Sequence, residues 1–213
     1  MFKKIETVIS LVLGDLIYLI SYFVPKDRSL WVFGAWFGEK YADNSKYLFE
    51  YVNEKHPEIR AVWLTKNKES FDLISKKGYE VYLMNSIKGY KICLRANKAI
   101  ISTGIKDILP CTSSRIKIIQ LWHGSPLKKI MFDDEFTFAE FKSLKSKIYQ
   151  FMFPFILRKE FNEKTIFISS SEEVKNIFSS AFKIPKKNIK ITGYPRNDFS
   201  DPITETRIKK FYN

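Results

Sequence analysis

The sequence predicts an α/β fold, a parallel sheet with helices on its faces, and three observations predict it. Short β-branched or aromatic apolar runs alternate with longer segments of helical period. Glycines and polar loops punctuate the changes of period, Gly34, Gly38, Gly78, Gly104, Gly124 and Gly193 among them. Strands that alternate with helices in this way run parallel and are joined by right-handed crossovers. A chain of 213 residues, 45% of them hydrophobic, suits one such domain with an appended element.

The first segment, 5–24, is the most apolar. Lys3, Thr7, Ser10, Gly14, Tyr18 and Ser21 recur at three- and four-residue intervals and give it a thin polar stripe. This predicts an apolar helix within 1–28 that lies in or on a membrane; a helix packed on the domain is the other reading. A span would set Asp15 near the bilayer centre at a cost of roughly 2.5–3.5 kcal/mol. No small-residue cleavage site follows, since the chain continues into Pro25-Lys26-Asp27-Arg28.

The domain is expected over 29–198. Leu30-Trp31-Val32-Phe33-Gly34 reads as the first strand, and Asp43-Asn44-Ser45 caps a helix to about Lys55. Asn44 therefore lies at a strand-to-helix junction, either as a cap or as a ligand contact. His56 before Pro57 reads as the exposed, structural end of that helix. Strands follow at 61–64, 80–84 and 98–102, with a basic helix ending near Gly78 and another over 87–95 between them. The segment 132–161 breaks the rhythm and is unusually aromatic and basic. Leu144, Ile148, Phe151 and Phe155 share a helical face, Lys142, Lys145, Lys147, Arg158 and Lys159 supply charge, and Pro154 adds a kink. An amphipathic basic helix suits a membrane surface, with packing on the domain as the alternative. A strand over 165–169, a helix from a Ser170–Glu173 capping box to about Phe182, and a last strand over 189–192 complete the alternation.

One strand, Ile116-Lys117-Ile118-Ile119-Gln120, leads into Leu121-Trp122-His123-Gly124-Ser125-Pro126-Leu127-Lys128-Lys129. Gly124 allows a sharp turn and a close approach to a ligand. Ser125 as N-cap and Pro126 at the first helical position predict a helix there. That would place His123 at the carboxyl end of a strand, where α/β folds bind ligands, with Lys128 in the first turn. A helix start with lysines favours a phosphate, and an imidazole beside it can serve as general base. A hydrogen-bonded structural histidine is the plainer reading. Gly193 similarly brings Arg196 and Asp198 to a strand exit, where Arg196 can bind phosphate bidentately or pair with Asp198.

These residues also carry a resemblance. Leu121-Trp122-His123-Gly124-Ser125-Pro126-Leu127-Lys128-Lys129 resembles the WHGTPLKK signature of the CDP-glycerol glycerophosphotransferases, the teichoic acid primases and polymerases. Gly38 to Phe49 resembles the family's early DNSKYLF segment, Ile168-Ser169-Ser170-Ser171 its serine-rich strand end, and Thr192-Gly193-Tyr194-Pro195-Arg196-Asn197-Asp198 its TGYPRND segment, all in the family's order. Ser125 replaces the more usual Thr. The resemblance implies a Rossmann-like acceptor-side half of a GT-B-type glycosyltransferase fold. It implies that an acceptor hydroxyl attacks the β-phosphate of CDP-glycerol, or a related CDP-activated polyol donor, and releases CMP. His123 is then the catalytic base, and Gly124, Ser125, Lys128, Asn44, Arg196 and Asp198 are the substrate and phosphate contacts. The implied partners are a lipid-linked or polyol-phosphate acceptor and an anionic membrane surface, met by Phe151, Phe155, Lys145 and Arg158 at the cytoplasmic face. In the family the donor-nucleotide site lies largely on a second domain, of which 199–213 would be the start. A half-enzyme needing a separate donor-site domain, or a non-catalytic membrane-binding module, is the alternative function.

Composition narrows the classes further. Lys+Arg number 36 against 23 Asp+Glu, a net charge of +13 that calls for an anionic partner. The charge lies among aromatics without a nucleic-acid motif, so nucleic acid is not expected. No Gly-x-Gly-x-x-Gly fingerprint occurs, so no dinucleotide cofactor is expected. Cys93 and Cys111 have neither metal-ligand spacing nor a disulfide framework, which predicts no metal and a reducing compartment.

Overall fold

The computed structural model describes residues 19–108, 115–135 and 165–198, together with Leu16 and Ile148. Seven strands form one sheet: β1 (Asp27–Gly34), β2 (Arg60–Thr65), β3 (Val81–Leu83), β4 (Ala96–Ile101), β5 (Lys117–Gln120), β6 (Ile166–Ser169) and β7 (Ile189–Ile191). Their spatial order is β3-β2-β1-β4-β5-β6-β7, and every neighbouring pair is parallel. Five helices accompany them among the described residues: α1 (Asp43–Lys55), α2 (Lys68–Lys76), α3 (Ile87–Arg95), α4 (Glu172–Phe182) and the short α5 (Pro195–Asp198). The order turns back between β1 and β4, which opens a crevice at the carboxyl ends of the strands.

Strand alternation sorts the core onto the two faces of the sheet. Leu30, Val32, Val62, Leu64, Ala99, Ile101 and Ile118 point to one face, where α3 covers them with Cys93, Tyr90 and Ile92. Phe33, Ala61, Trp63 and Ile100 point to the other, against Phe49 and Val52 of α1 and Ile74 of α2. A third cluster packs Phe178, Ala181 and Phe182 of α4 on Phe167 of β6 and Ile189 of β7, with Trp122 added from the loop after β5.

Two local expectations change. The helix cap near β6 is Ser171, whose Oγ accepts the Val174 N–H at 3.3 Å. Ser170 instead lies within hydrogen-bond distance of Ser125, with 3.2 Å between their hydroxyls. The expected helix after Ser125 is absent: residues 121–130 are irregular and end in a 3-10 turn, Met131–Asp133. Three forces favour this outcome. Two adjacent lysines oppose the positive end of a helix dipole. Ile130 and Met131 are drawn onto the third core cluster. Asp133 is tied to α4 by the Ser180 hydroxyl at 2.7 Å.

Most of the expected apolar helix, and Lys145, Phe151, Phe155 and Arg158 of the aromatic basic segment, lie outside the described residues, as do 199–213. Leu16, Leu19, Ile20, Tyr22 and Phe23 are described and exposed, Phe23 at 86%. Among the described residues, no helix is long and apolar enough to cross a membrane.

Candidate functional site

The site forms where four strand exits meet at the carboxyl edge of the sheet. β5 ends at Gln120, and the backbone of the next residues is fixed from both sides. The Leu121 N–H donates to the Ile101 carbonyl at 2.8 Å. The Trp122 N–H donates to Gln120 Oε1 at 3.0 Å, and the Gln120 amide reaches the Thr103 carbonyl at 3.3 Å. The Trp122 carbonyl accepts from Asn44 Nδ2 at 2.7 Å. These ties hold Trp122 at φ +55°, a left-handed conformation that costs a bulky residue on the order of 1–3 kcal/mol. The reversal sends the Trp122 ring into the core against Phe182 and turns His123 to the rim.

His123 is half-buried against two indoles. Its ring centroid lies 4.3 Å from that of Trp122, at 27° between planes, and 5.8 Å from that of Trp36 in the loop after β1. Burial is the main cause that lowers its proton affinity below the ordinary 6.5; Asp43 and Asp107 raise it, and Arg196 lowers it. A lowered affinity leaves the imidazole neutral near pH 7, the form a general base requires.

Asn44 is a brace. It is fully buried, its amide nitrogen faces the carbonyls of Trp122 and Leu121, and its Oδ1 accepts the Arg196 N–H at 3.3 Å. Ala42 occupies the cap position of α1, so Asn44 is not its cap. Asn44 joins the exits of β5 and β7 to the start of α1, which is why one amide lies next to all three.

Arg196 is half-exposed on α5. Its Nη1 donates to Asp43 Oδ1 at 3.2 Å, so its ion pair is with Asp43 and not with Asp198, which lies exposed. Asp43 has φ +64°, and its Oδ1 also accepts the Asn44 N–H at 3.0 Å. Gly124, at φ +149°, makes the close approach its residue type allows: a Cβ there would sit 3.3 Å from Arg196 Nη2. His123, Gly124, Arg196 and Asp43 therefore converge.

Ser125 and Lys128 are placed differently from expectation. Ser125 is exposed beside Ser170 and caps no helix. Lys128 and Lys129 line an open groove of about 470 Å³ with Pro126, Leu127, Ile130, Asp133 and Ile177; His123 is not in its lining. His56 ends α1 with its Nδ1 3.0 Å from Glu58 Oε1, in keeping with a structural residue.

Sequence reasoning missed two residues of the site, Trp36 and Asp107, which sit in the loops after β1 and β4. The signal for Trp36 was available: an aromatic pair between Gly34 and Gly38 at a strand's carboxyl end. No group of metal-ligating side chains gathers among the described residues.

The site is thus an imidazole and an arginine brought together at the carboxyl edge of a parallel α/β sheet. The chain belongs to the CDP-glycerol:poly(glycerophosphate) glycerophosphotransferase family, whose sequence profile matches residues 16–211. It is 31% identical over 173 residues to the teichoic acid glycerol-phosphate transferase of Staphylococcus aureus, covering 81% of this chain and 42% of that protein. It is 28% identical over 183 residues to the teichoic acid poly(glycerol phosphate) polymerase of Bacillus subtilis, covering 86% and 23%. The solved wall teichoic acid polymerase TagF shares the fold, with a TM-score of 0.63 at 23% identity over 92% of this chain and 46% of that one. A TagF variant soaked with CDP-glycerol gives a TM-score of 0.63 at 22% identity, over 92% and 48%. The chain thus spans between about a quarter and a half of the relatives it matches.

Proposed function

We propose that this chain carries the catalytic base of a polyol-phosphate transferase that uses a CDP-activated donor, CDP-glycerol or a related polyol compound. A hydroxyl of the acceptor attacks the β-phosphate; the new P–O bond forms as the bond to CMP breaks, and CMP leaves. His123 takes the hydroxyl proton. The observation that carries this reading is the half-buried imidazole at the exit of β5, its proton affinity lowered by burial, beside an arginine held by Asp43. Arg196 binds phosphate oxygens in this reading, which its exposed guanidinium supports.

The acceptor is a lipid-linked saccharide or a growing polyol-phosphate chain, reached from the cytoplasmic face of the membrane. The exposed apolar residues at 19–23 and the excess positive charge support docking on an anionic surface. The donor nucleotide is held chiefly by a second domain of the kind the longer relatives leave room for.

The test is CMP release from CDP-glycerol by the purified chain with membranes that carry acceptor, run alone and with a donor-site domain from a relative supplied separately. Acceptor-dependent release that His123→Ala abolishes without unfolding the protein supports the assignment. Normal turnover by His123→Ala sinks it. Absence of release in both arms, with vesicle binding retained, favours the non-catalytic membrane module.

A further inference from the structure

The Trp36 indole lies against His123, and the loop that carries Trp36 is held in an unfavourable shape. Trp36, Phe37 and Gly38 have φ of 50°, 57° and 81°. Left-handed backbone suits Gly38, but two consecutive aromatic residues do not adopt it without an outside restraint. Asp107 provides one. Its Oδ1 accepts the Phe37 N–H at 2.7 Å, and its Oδ2 accepts the N–H groups of Ser102, Thr103 and Gly104 at 2.9, 2.6 and 3.3 Å. The side chain is completely buried, so it meets no substrate. Thr103 Oγ1 adds a second tie, accepting the Trp36 N–H at 3.2 Å. The two loops are also in backbone contact, since a Cβ on Gly34 would sit 2.0 Å from the Asp107 carbonyl oxygen.

We infer that Asp107 is a positioning residue for His123: it locks the strained exit of β1 so that the Trp36 indole covers the imidazole and keeps water from it. The inference rests on the reading of His123 as the base, and it adds the device that keeps that base neutral. Among the described residues, the charged groups acting on the imidazole are Asp43 from α1, Arg196 from α5 and Asp107 itself. Lys40 lies over Trp36, 5.1 Å from the ring centroid, and so is one ring removed from His123.

The test is the titration midpoint of His123, followed by NMR of the imidazole C2–H in the whole chain. The only other histidine, His56, is assigned with His56→Gln. Asp107→Asn discriminates by sign. The Asp107 charge favours the imidazolium, so its loss alone drives the midpoint further down. Release of the loop uncovers the ring and drives the midpoint up, toward the ordinary 6.5. The expected result is a rise in Asp107→Asn and in Trp36→Ala, with Trp36→Phe close to the parent. A fall or no change in Asp107→Asn overturns the positioning role. Should Asp107→Asn not fold, Thr103→Val cuts the second tie to the same loop and must also raise the midpoint; an unmoved midpoint there or in Trp36→Ala overturns the inference. The titration needs no substrate, so a failed transfer assay with these shifts intact counts against the transfer reading alone.

Discussion

Replacing Asn44 with alanine tests whether this buried amide builds the site. The change removes the 2.7 Å donor to the Trp122 carbonyl and the weaker 3.5 Å contact to the Leu121 carbonyl. Stranding a buried carbonyl costs about 1–3 kcal/mol, with the smaller contact and the lost Arg196 acceptor adding a fraction more. Together these give about 1.5–3.5 kcal/mol, or at least about 12-fold in the folding equilibrium. For a domain of this size the thermal midpoint should fall by roughly 3–14 °C. Urea denaturation measures the loss, and hydrogen exchange at the Trp122 and His123 amides shows whether it is local. Asn44→Asp must be worse than alanine, because it aims a carboxylate at two carbonyl oxygens. An alanine variant within about 0.5 kcal/mol of the parent, the range of an ordinary surface change, would refute the brace.

Three further outcomes are expected. Gly34→Ala drives a Cβ to 2.0 Å from the Asp107 carbonyl oxygen, while Gly78→Ala meets nothing within 4 Å and bears only the strain of φ +80°. The first should lose about 2–3 kcal/mol or fail to fold, the second about 1–2 kcal/mol, and equal urea midpoints would contradict the close approach of the two loops. For His123, burial leaves the folded state with a lower proton affinity than the unfolded chain, whose imidazole sits at the ordinary 6.5. The unfolded state therefore takes up the proton first, and the stability present above pH 6.5 is lost as pH falls below it; His123→Gln should flatten that slope, and an unchanged slope counts against the burial. Lys26 is held down to about 8 from 10.5, chiefly by burial, with its Nζ on the Leu94 carbonyl at 2.5 Å. Between those values the unfolded chain binds more protons, so stability rises with pH, and Lys26→Met should remove the rise seen by denaturation from pH 7.5 to 10.5.

What the sequence makes legible follows from the range of the interactions involved. The seven strands are readable because burial on two faces demands dense apolar runs such as Ala61-Val62-Trp63-Leu64. The helix over 87–95 is readable because Ser86 caps it through the Gly89 N–H and Arg95 closes it, both local events. Adjacent serines at 170 and 171 are different. Ser171 caps α4, while Ser170 meets Ser125, 45 positions away, a contact that local sequence does not reveal. Asp107 and Trp36 are hidden for the same reason. Their meeting depends on how β1 and β4 come to lie side by side, and the residues joined, Phe37 and Asp107, are 70 positions apart.

The missing helix after Ser125 changes the chemistry as well as the fold. A helix start would have offered several backbone N–H groups and a dipole to a phosphate beside His123, with Lys128 in support. Without it, charge that develops on a transferred phosphoryl group near the imidazole meets Arg196, a cation whose field reaches His123. That guanidinium is already paired with Asp43, whose side chain is only 8% exposed. Asp43 therefore acts in two opposite ways. It fixes Arg196 against Gly124, and it raises the proton affinity that burial and Arg196 lower at His123. An anion that draws Arg196 away from Asp43 would leave the carboxylate's field opposed by burial alone, and would add its own negative charge beside the imidazole. It would thus make His123 a stronger proton acceptor at the moment the phosphoryl group is in place. Asp43→Asn separates the two effects. The variant should bind phosphate at Arg196 at least as well as the parent, and its His123 midpoint without phosphate should lie below the parent's, because the carboxylate no longer raises it; a midpoint equal to the parent's would show that Asp43 plays no part.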